Sequence, residues 1–498
     1  MEKNIYDLVI VGAGISGSCI ARELSKLDIK IALLDKENDV SCGSSKANSG
    51  IVHAGYDPLP GTLMARLNVE GSALMKKYSK VLDFSYKEIG SLVLSFDENG
   101  NQKINELLER GRVNGVKNLS VLSKKEVLEL EPNVSDQVQS ALFAPSAAII
   151  SPYQATWAFA ESAVINGVEF FRNTMLHSIK KENDIFYLDT SRGILKTKFI
   201  VNASGLDAGN ISSMAGAKKY SILQRRGEYS LLDSSVSSLV NHVLFQTPTA
   251  LGKGILVTKT VDNNILIGPS ADDLSGSDLY STETTALKQR EIMEKARISV
   301  PDIPVRALIN SFSGIRAIAL NQEGKPVNDF IIEEDEKVKG FINVGGICSP
   351  GLSSAPAIAL YVRKILEKAG LKAKEKGNFI EERKGIPELK SSSIDARMEM
   401  IKKDSRFAQI ICRCEMISEG EIVRAIHSPV GARDLDGVKR RCRAGMGRCQ
   451  GGFCSPRVTE ILSRELQIPM VEVTKKGGVS YILDSKTRES VADIGGSL

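Results

Sequence analysis

The 498-residue chain lacks most features that would set it apart from ordinary globular protein. It has no run of about 18 apolar residues, so no transmembrane helix is expected. Its first residues, MEKNIYDLVIVGAGISG, carry neither a basic leader region nor a small-residue cleavage site. A signal peptide is therefore not expected, a cytoplasmic location is, and attachment to a membrane periphery through a partner stays open. Charge of one sign is scarce as well. An excess of +5 gives no general case for a nucleic-acid partner. Internal repeats and low-complexity tracts are also missing.

What is present is too long for one core, so two or three folding units are expected. Hydrophobic content of 42% and charged content of 25% are ordinary for globular protein. Cysteine is unevenly used: five of the eight, Cys412, Cys414, Cys442, Cys449 and Cys454, fall in one short stretch, which in a reducing compartment reads as metal binding or catalysis before disulfides. Residues 371–395 lose periodicity and turn charged, with glycine, proline and a serine run, and mark the main boundary. The expected division is 1–372, a linker at 373–400, a compact unit at 401–470 and a poorly specified tail at 471–498.

Tyr6 to Val11 is a continuous β-prone run, as a buried parallel strand should be. Gly12 to Gly17 break it, Ile15 to Lys26 have helical spacing, and Ile29 to Leu34 form a second strand ending at Asp35. Gly12, Gly14 and Gly17 are thus a G-x-G-x-x-G turn between strand and helix. The first glycine permits the tight turn, the second lets backbone approach a pyrophosphate, and the third lets helix pack on strand. The helix N-terminus supplies N–H donors and positive charge to phosphates. Asp35, 21 residues after Gly14, is placed to accept hydrogen bonds from ribose hydroxyls.

The motif alone does not decide between FAD and NAD. Three further segments favour FAD: the small, hydroxyl-rich loop SCGSSKANSGIVH from Ser41 to His53, the strand end Val201-Asn202-Ala203-Ser204-Gly205, and Asn343 to Leu352, NVGGICSPGL. N–H groups in the last could face the flavin and stabilise negative charge on the reduced ring. There is only one convincing dinucleotide motif, which disfavours an NAD-dependent enzyme.

GAGISG, NSGIVHAG, VNASG and GG-x-x-SPGL, in that order over roughly residues 1–370, resemble the D-amino-acid-oxidase superfamily of flavoproteins. The resemblance implies FAD in a discontinuous domain lined by Gly12, Gly14, Gly17, Asp35, Ser44, Ser45, Asn48, Ser49, Gly205, Gly346, Gly351 and Leu352. It also implies a substrate domain with an antiparallel sheet over the flavin. Some members attach the flavin through a histidine; for His53, proximity to the ring is favoured over a covalent link.

Cys412-x-Cys414, then 34 residues, then Cys449-x4-Cys454 supplies the four thiolates that a 2Fe-2S cluster requires. Zinc also accepts four cysteines, but this is not a usual zinc-ribbon spacing. Cys442 is expected to be a bystander. Ser418-x-x-Glu421 reads as a capping box opening a helix through Ile426. Ser455-Pro456 reads as an N-cap and first helical residue, placing Cys454 at a helix N-terminus that favours its thiolate. Arg413, Lys439, Arg440, Arg441, Arg443 and Arg448 would offset the cluster's negative charge. ICRCEMISEGEI through RRCRAGMGRCQGGFCSPRV, roughly residues 408–466, resembles the bacterioferritin-associated-ferredoxin type of 2Fe-2S domain, and more narrowly that domain fused to the catalytic subunit of anaerobic-type glycerol-3-phosphate dehydrogenase. The expected fold class is α/β: a Rossmann-like FAD-binding domain with an antiparallel-sheet substrate domain, plus a small, mainly helical 2Fe-2S domain.

The chemistry that follows is hydride transfer from a carbon bearing a hydroxyl or amine to the flavin, with the cluster passing electrons singly to a partner, a second flavoprotein or a quinone-linked protein. Arg316 is the expected anion anchor, since its fork fits carboxylate or phosphate. Tyr229 and Tyr56 can hydrogen-bond the small hydroxy substrate, and His53 is the candidate base. Arg225, Arg226 and Lys253 are expected at the surface or in salt bridges. Glycerol-3-phosphate dehydrogenases usually carry a basic residue after the C-terminal glycine pair and an arginine shortly after the histidine; this chain has Ile347 and Tyr56-Asp57 there. The HAGY and SPGL segments look more like L-2-hydroxyglutarate dehydrogenase, whereas the ferredoxin-like fusion favours glycerol 3-phosphate. A pure electron-relay subunit is a further class.

Overall fold

The computed structural model describes residues 5–247 and 254–485. Its contacts divide the chain into two units, Met1–Lys36 with Val40–Gly385, and Glu37–Asp39 with Ile386–Leu498. The division after Gly385 falls inside the charged stretch 371–395.

In the first unit the run Ile5–Val11 is the centre of an eight-stranded sheet. It pairs in parallel with Ile31–Leu34 on one side and with Gly193–Asn202 on the other, and Phe341–Gly345 extends the parallel set. Parallel strands buried on both faces need apolar residues throughout, which is why Leu8, Val9 and Ile10 are all fully buried. The register sets Val11 beside Leu34 and Asn202, and Asn202 beside Asn343. Four strands therefore end close to one another, before Gly12, Asp35, Ala203 and Gly346. Ligands of open α/β sheets bind outside such carboxyl ends. Two helices, Ile15–Leu24 and Gly351–Lys368, pack against each other beside this sheet.

The second sheet of this unit has nine strands and is antiparallel except where Val243–Gln246 runs parallel to Ser91–Ser95. Its backbone is the long pair Ser221–Leu232 and Leu308–Leu320. The two strands expected within Leu256 to Ile267 are Leu256–Lys259 and Ile265–Gly268, paired antiparallel. Leu92, Leu244, Val257 and Ile267 are among the core residues beneath. Each such side chain, fully buried, contributes roughly 1.5–3 kcal/mol.

The second unit is mainly helical. Helices Glu419–His427, Leu435–Cys442 and Ser455–Leu466 close around Ile422, Ile426, Val438, Ile461 and Leu462. The expected capping box is present, with Glu421 N–H donating to Ser418 Oγ and Glu421 accepting from Ser418 N–H. The start of the last helix differs from expectation: Cys454 itself is the N-cap and Ser455 the first helical residue, with Pro456 next. Proline is tolerated within this first turn because its missing N–H has no intrahelical partner anyway. The tail is specified as far as it is described. Val473 is fully buried in the core, and Leu435 N–H and Asp436 N–H donate to the carbonyls of Thr474 and Lys475. Residues 486–498 lie outside the described residues.

Buried ion pairing also organises this unit. Asp39 accepts from both terminal nitrogens of Arg441, at 2.7 Å each, and from Arg440 at 2.8 Å. Burial alone would raise the Asp39 carboxyl, but the Arg441 guanidinium, with Arg440, outweighs it and holds the group well below the usual carboxylate range.

Candidate flavin and iron-sulfur sites

The glycine turn is fixed by close approach. Gly12 has φ +104, and a Cβ there would stand 2.5 Å from Ala203 O; a Cβ on Gly17 would run into Gly12 O. Backbone thus lies against backbone where strand, turn and helix meet. Asp35 Oδ2 accepts from Ala13 N–H at 2.7 Å, tying the end of the second strand across the turn. The helix then opens at Gly14 with no side-chain cap from its own N-cap residue and no acid in its first turn. Ser45 reaches in from the following loop, accepting from Ile15 N–H at 2.9 Å. A helix end presented this way suits a diphosphate.

The loop 44–49 lies across the second sheet. Ser44 Oγ donates to Ile315 O at 2.5 Å, and Gly314 leaves room for Ala47 O, which a Cβ would meet. Asn48 braces the loop internally, donating to the carbonyls of Ser44 and Ser45 and accepting from Gly50 N–H. Gly205 has φ +62, and no atom lies within 4 Å of where its Cβ would stand, so space opens beside it. Gly346 has φ +66, and a Cβ there would sit 2.9 Å from Ala319 Cβ. Helix Gly351–Lys368 begins without a side-chain cap, with Gly351 N–H held by Cys348 O and with Leu352 in its first turn. Bare backbone, an open helix end and an acid at the second strand's end fit FAD.

A polar brace missed in the sequence joins two of the strand ends. Ser204 Oγ donates to Asn202 Oδ1 at 2.6 Å, and Asn202 Nδ2 and Tyr220 OH both donate to Asn343 Oδ1. Asn343 Nδ2, fully buried, has no partner among the described residues.

The catalytic candidates divide. Tyr229 and Arg316 lie on adjacent strands, on the face shared by Arg225, Gly227, Phe312 and Gly314, since directly paired residues of antiparallel strands share a face. Tyr229 stacks on Phe312 with ring centroids 5.0 Å apart. Burial raises the Tyr229 phenol, opposed by the nearby Arg316 charge and by Ser49. Arg316 donates to Ser270 O at 3.5 Å and has no ion pair among the described residues. Its cross-strand neighbour Arg225 is engaged by Asp273 through two hydrogen bonds, at 2.5 and 3.0 Å. Arg226 donates to Ser281 Oγ at 3.3 Å, and Lys253 lies outside the described residues.

His53 is half-buried just past the strand Ile51–Val52. Its N–H donates to Ser353 Oγ and its carbonyl accepts from Asn68 Nδ2, each at 2.8 Å, while its ring stacks on Phe245. Ser353 follows Leu352, so the histidine is anchored to the segment that ends in SPGL. Tyr56 packs with Ile104, Leu107 and Leu142, 6% exposed. Gly111 allows this: a Cβ there would lie 2.9 Å from Tyr56 Cβ, so the chain after His53 turns onto the helix Glu98–Val113. Asn68, Phe245, Phe312 and Ser353 had no signal in the sequence, because each meets the site only through folding.

In the second unit the four cysteines meet as two pairs. Cys414 and Cys449 have sulfurs 3.6 Å apart. Cys412 and Cys454 are also within hydrogen-bonding reach, and donation from Cys454, with N–H groups of Gly445 and Glu415, lowers the Cys412 thiol to about 6. Among the described residues no three His, Cys, Asp or Glu converge as for a single metal ion. Two thiol pairs suit a two-iron cluster, and Cys412, Cys414, Cys449 and Cys454 would hold it. Cys442 faces away from this role. It donates to Val438 O, and burial pushes its thiol up to about 12.

The arrangement has counterparts. Residues 7–365 match the family described as FAD dependent oxidoreductase, and residues 410–464 match the BFD-like [2Fe-2S] binding domain. The chain is 49% identical to the glycerol 3-phosphate dehydrogenase of Caloramator mitchellensis, over 98% of this chain and 100% of that one. It is 28% identical to the mitochondrial L-2-hydroxyglutarate dehydrogenase of Caenorhabditis briggsae, over 72% of this chain and 92% of that one. Among solved structures it resembles the dithionite-reduced L-alpha-glycerophosphate oxidase of Mycoplasma pneumoniae with FAD bound, with TM-score 0.72 and 30% identity, over 77% of this chain and 98% of that one.

Proposed function

The chain belongs to the FAD dependent oxidoreductase family, and from that premise we propose that it oxidises sn-glycerol 3-phosphate to dihydroxyacetone phosphate, with electrons passing from FAD to a 2Fe-2S cluster and on to a partner. The observation that carries the substrate is full-length similarity. The glycerol 3-phosphate dehydrogenase relative matches through both units, whereas the hydroxyglutarate relative matches 72% of the chain at lower identity.

FAD supplies the hydride acceptor, and the cluster takes electrons one at a time. The residues divide the remaining work. Arg316, without a carboxylate partner among the described residues, holds the substrate's anionic end. Arg225 on the same face is already neutralised by Asp273, so it adds little. Tyr229, stacked on Phe312, donates a hydrogen bond from a fixed position. The His53 imidazole takes the proton of the C2 hydroxyl as the C2 hydride leaves. Ser353 and Asn68 fix the His53 backbone, and Phe245 stacks on its ring. The partner is an electron acceptor, a second flavoprotein or a quinone-linked protein. Among the described residues no helix is long and apolar enough to cross a membrane, and any membrane association would come through the partner.

The test is anaerobic mixing with glycerol 3-phosphate, L-2-hydroxyglutarate, L-lactate and proline in turn, following flavin bleaching near ~450 nm and the cluster's EPR signal. Bleaching by glycerol 3-phosphate with a cluster signal is expected. Bleaching only by a carboxylic acid would reassign the substrate, and none by any of them would favour a relay subunit.

A further inference from the structure

The four cluster cysteines are not equally covered. Cys412 and Cys454 are 1% and 2% exposed, whereas Cys414 is exposed and Cys449 partly so. Electron transfer falls steeply with distance, so electrons leave the cluster on the Cys414 and Cys449 side. That edge carries apolar side chains that the unit's own core does not use. Phe453, next to Cys454, is 86% exposed, and Met416, two residues after Cys414, is 45% exposed. Met416 also holds φ +58, a left-handed conformation that strains a non-glycine residue. The unit thus tolerates a strained residue and leaves a phenylalanine in water beside its redox group. Phenylalanine, methionine and arginine are the residue types that protein interfaces enrich.

Positive charge exceeds negative along the edge. Arg413 is exposed, between two ligands, with no ion pair among the described residues. Arg448 is exposed as well. The neighbouring carboxylates are engaged: Glu415 by Arg443 at 3.0 Å and Glu460 by Arg457 at 2.5 Å. A basic rim around an apolar centre fits a partner with the opposite charge, which would be steered in and oriented by it.

We propose that the Cys414 and Cys449 edge, framed by Phe453, Met416 and Arg413, is the docking surface for an acidic redox protein that accepts electrons singly. This rests on the relay reading above and gives the unnamed partner a place and a charge. The electrons balance simply. Substrate oxidation releases two electrons, the cluster carries one per transfer, and the partner is reduced by one electron at each of two visits.

The experiment uses the full-length holoprotein, reduced photochemically so that no substrate is involved. An acidic flavodoxin is the probe and a basic cytochrome c the charge-reversed control. Binding is measured by calorimetry, and cluster re-oxidation by stopped flow, at about 20 mM and about 300 mM salt. The expected result is tighter binding of flavodoxin than of cytochrome c, weakened at high salt. Phe453→Ala should weaken it by about 10-fold, an interface-centre effect, and Arg413→Gln by about 3-fold with a shallower salt dependence. The cluster's EPR spectrum and reduction potential should stay in place in both variants. A changed potential with unchanged binding would show that the rim only tunes the cluster and would overturn the proposal. So would tighter binding of cytochrome c, or flavodoxin binding indifferent to salt, which the unmodified protein decides even if a variant loses its cluster. Failure of glycerol 3-phosphate to bleach the flavin would sink the substrate assignment and leave these outcomes as they are.

Discussion

In the first unit most of the candidate flavin site is backbone, drawn from positions as far apart as Gly12 and Leu352, whereas in the second unit the candidate cluster site is four side chains between Cys412 and Cys454. The two materials fail differently. A site of bare backbone is spoiled by adding atoms, as at Gly12, where a Cβ would stand 2.5 Å from Ala203 O. A site of thiols is spoiled by removing them. The charges differ likewise. The candidate flavin site has a helix end with no acid in its first turn, and Arg316, proposed to hold the substrate, donates only weakly to Ser270 O, while the second unit buries Asp39 between Arg440 and Arg441.

The contrast breaks most cleanly at a ligand. Cys412→Ser should abolish the cluster's EPR signal while FAD content and bleaching by glycerol 3-phosphate persist; loss of both would mean that the two sites are not separable. The next largest effect should come from Asp39→Asn. It leaves Arg440 and Arg441 buried without their carboxylate and should destabilise the second unit by about 3–5 kcal/mol. Unfolding of the full chain, followed at the cluster's visible absorbance, measures it. The pH dependence has a definite sign. Because the Asp39 carboxyl is held below its unfolded value, its contribution is complete above about pH 4 and fades as pH falls toward the native value. The Asn variant should lack that acid-labile part.

In the flavin unit, Arg316→Ala should lower kcat/KM for glycerol 3-phosphate on the order of 100-fold, the loss of a charge-assisted hydrogen bond in a covered site. FAD content should be unchanged, and a loss below about threefold would place the anion site elsewhere. The smallest effect should be that of Cys442→Ala. Its thiol donates only to Val438 O, so cluster content should hold and stability should fall by about 1 kcal/mol. An apo protein would return Cys442 to the ligand set.

Much of both candidate sites could be proposed from the sequence because such chemistry leaves local marks. G-x-G-x-x-G with Asp35, and C-x-C with C-x4-C, each need particular residues at fixed spacing, whatever the rest of the fold does. The capping box at Ser418 and Glu421 was legible for the same reason. The packing of Tyr56 was not, because its direction depends on Gly111 of a helix some 55 residues on, which lets the chain turn inward. The cap was shifted by one residue to Cys454, which makes no side-chain capping hydrogen bond, so no local capping chemistry marked the position. Ser353 is close to the recognisable SPGL segment, yet its bond to His53 spans 300 positions.

What the sequence by itself determined is the pair of cofactors and the order of the units, because glycine turns and cysteine spacings act at short range. Only the tertiary structure decided which charges are available. Two arginines stand opposite each other at Arg225 and Arg316. Nothing in the chain order says that Asp273 takes the first. The same holds for cover. Four cysteines look alike in a row of letters, and packing of the helices Glu419–His427 and Ser455–Leu466 buries two of them and leaves the Cys414 edge, beside Phe453, facing water.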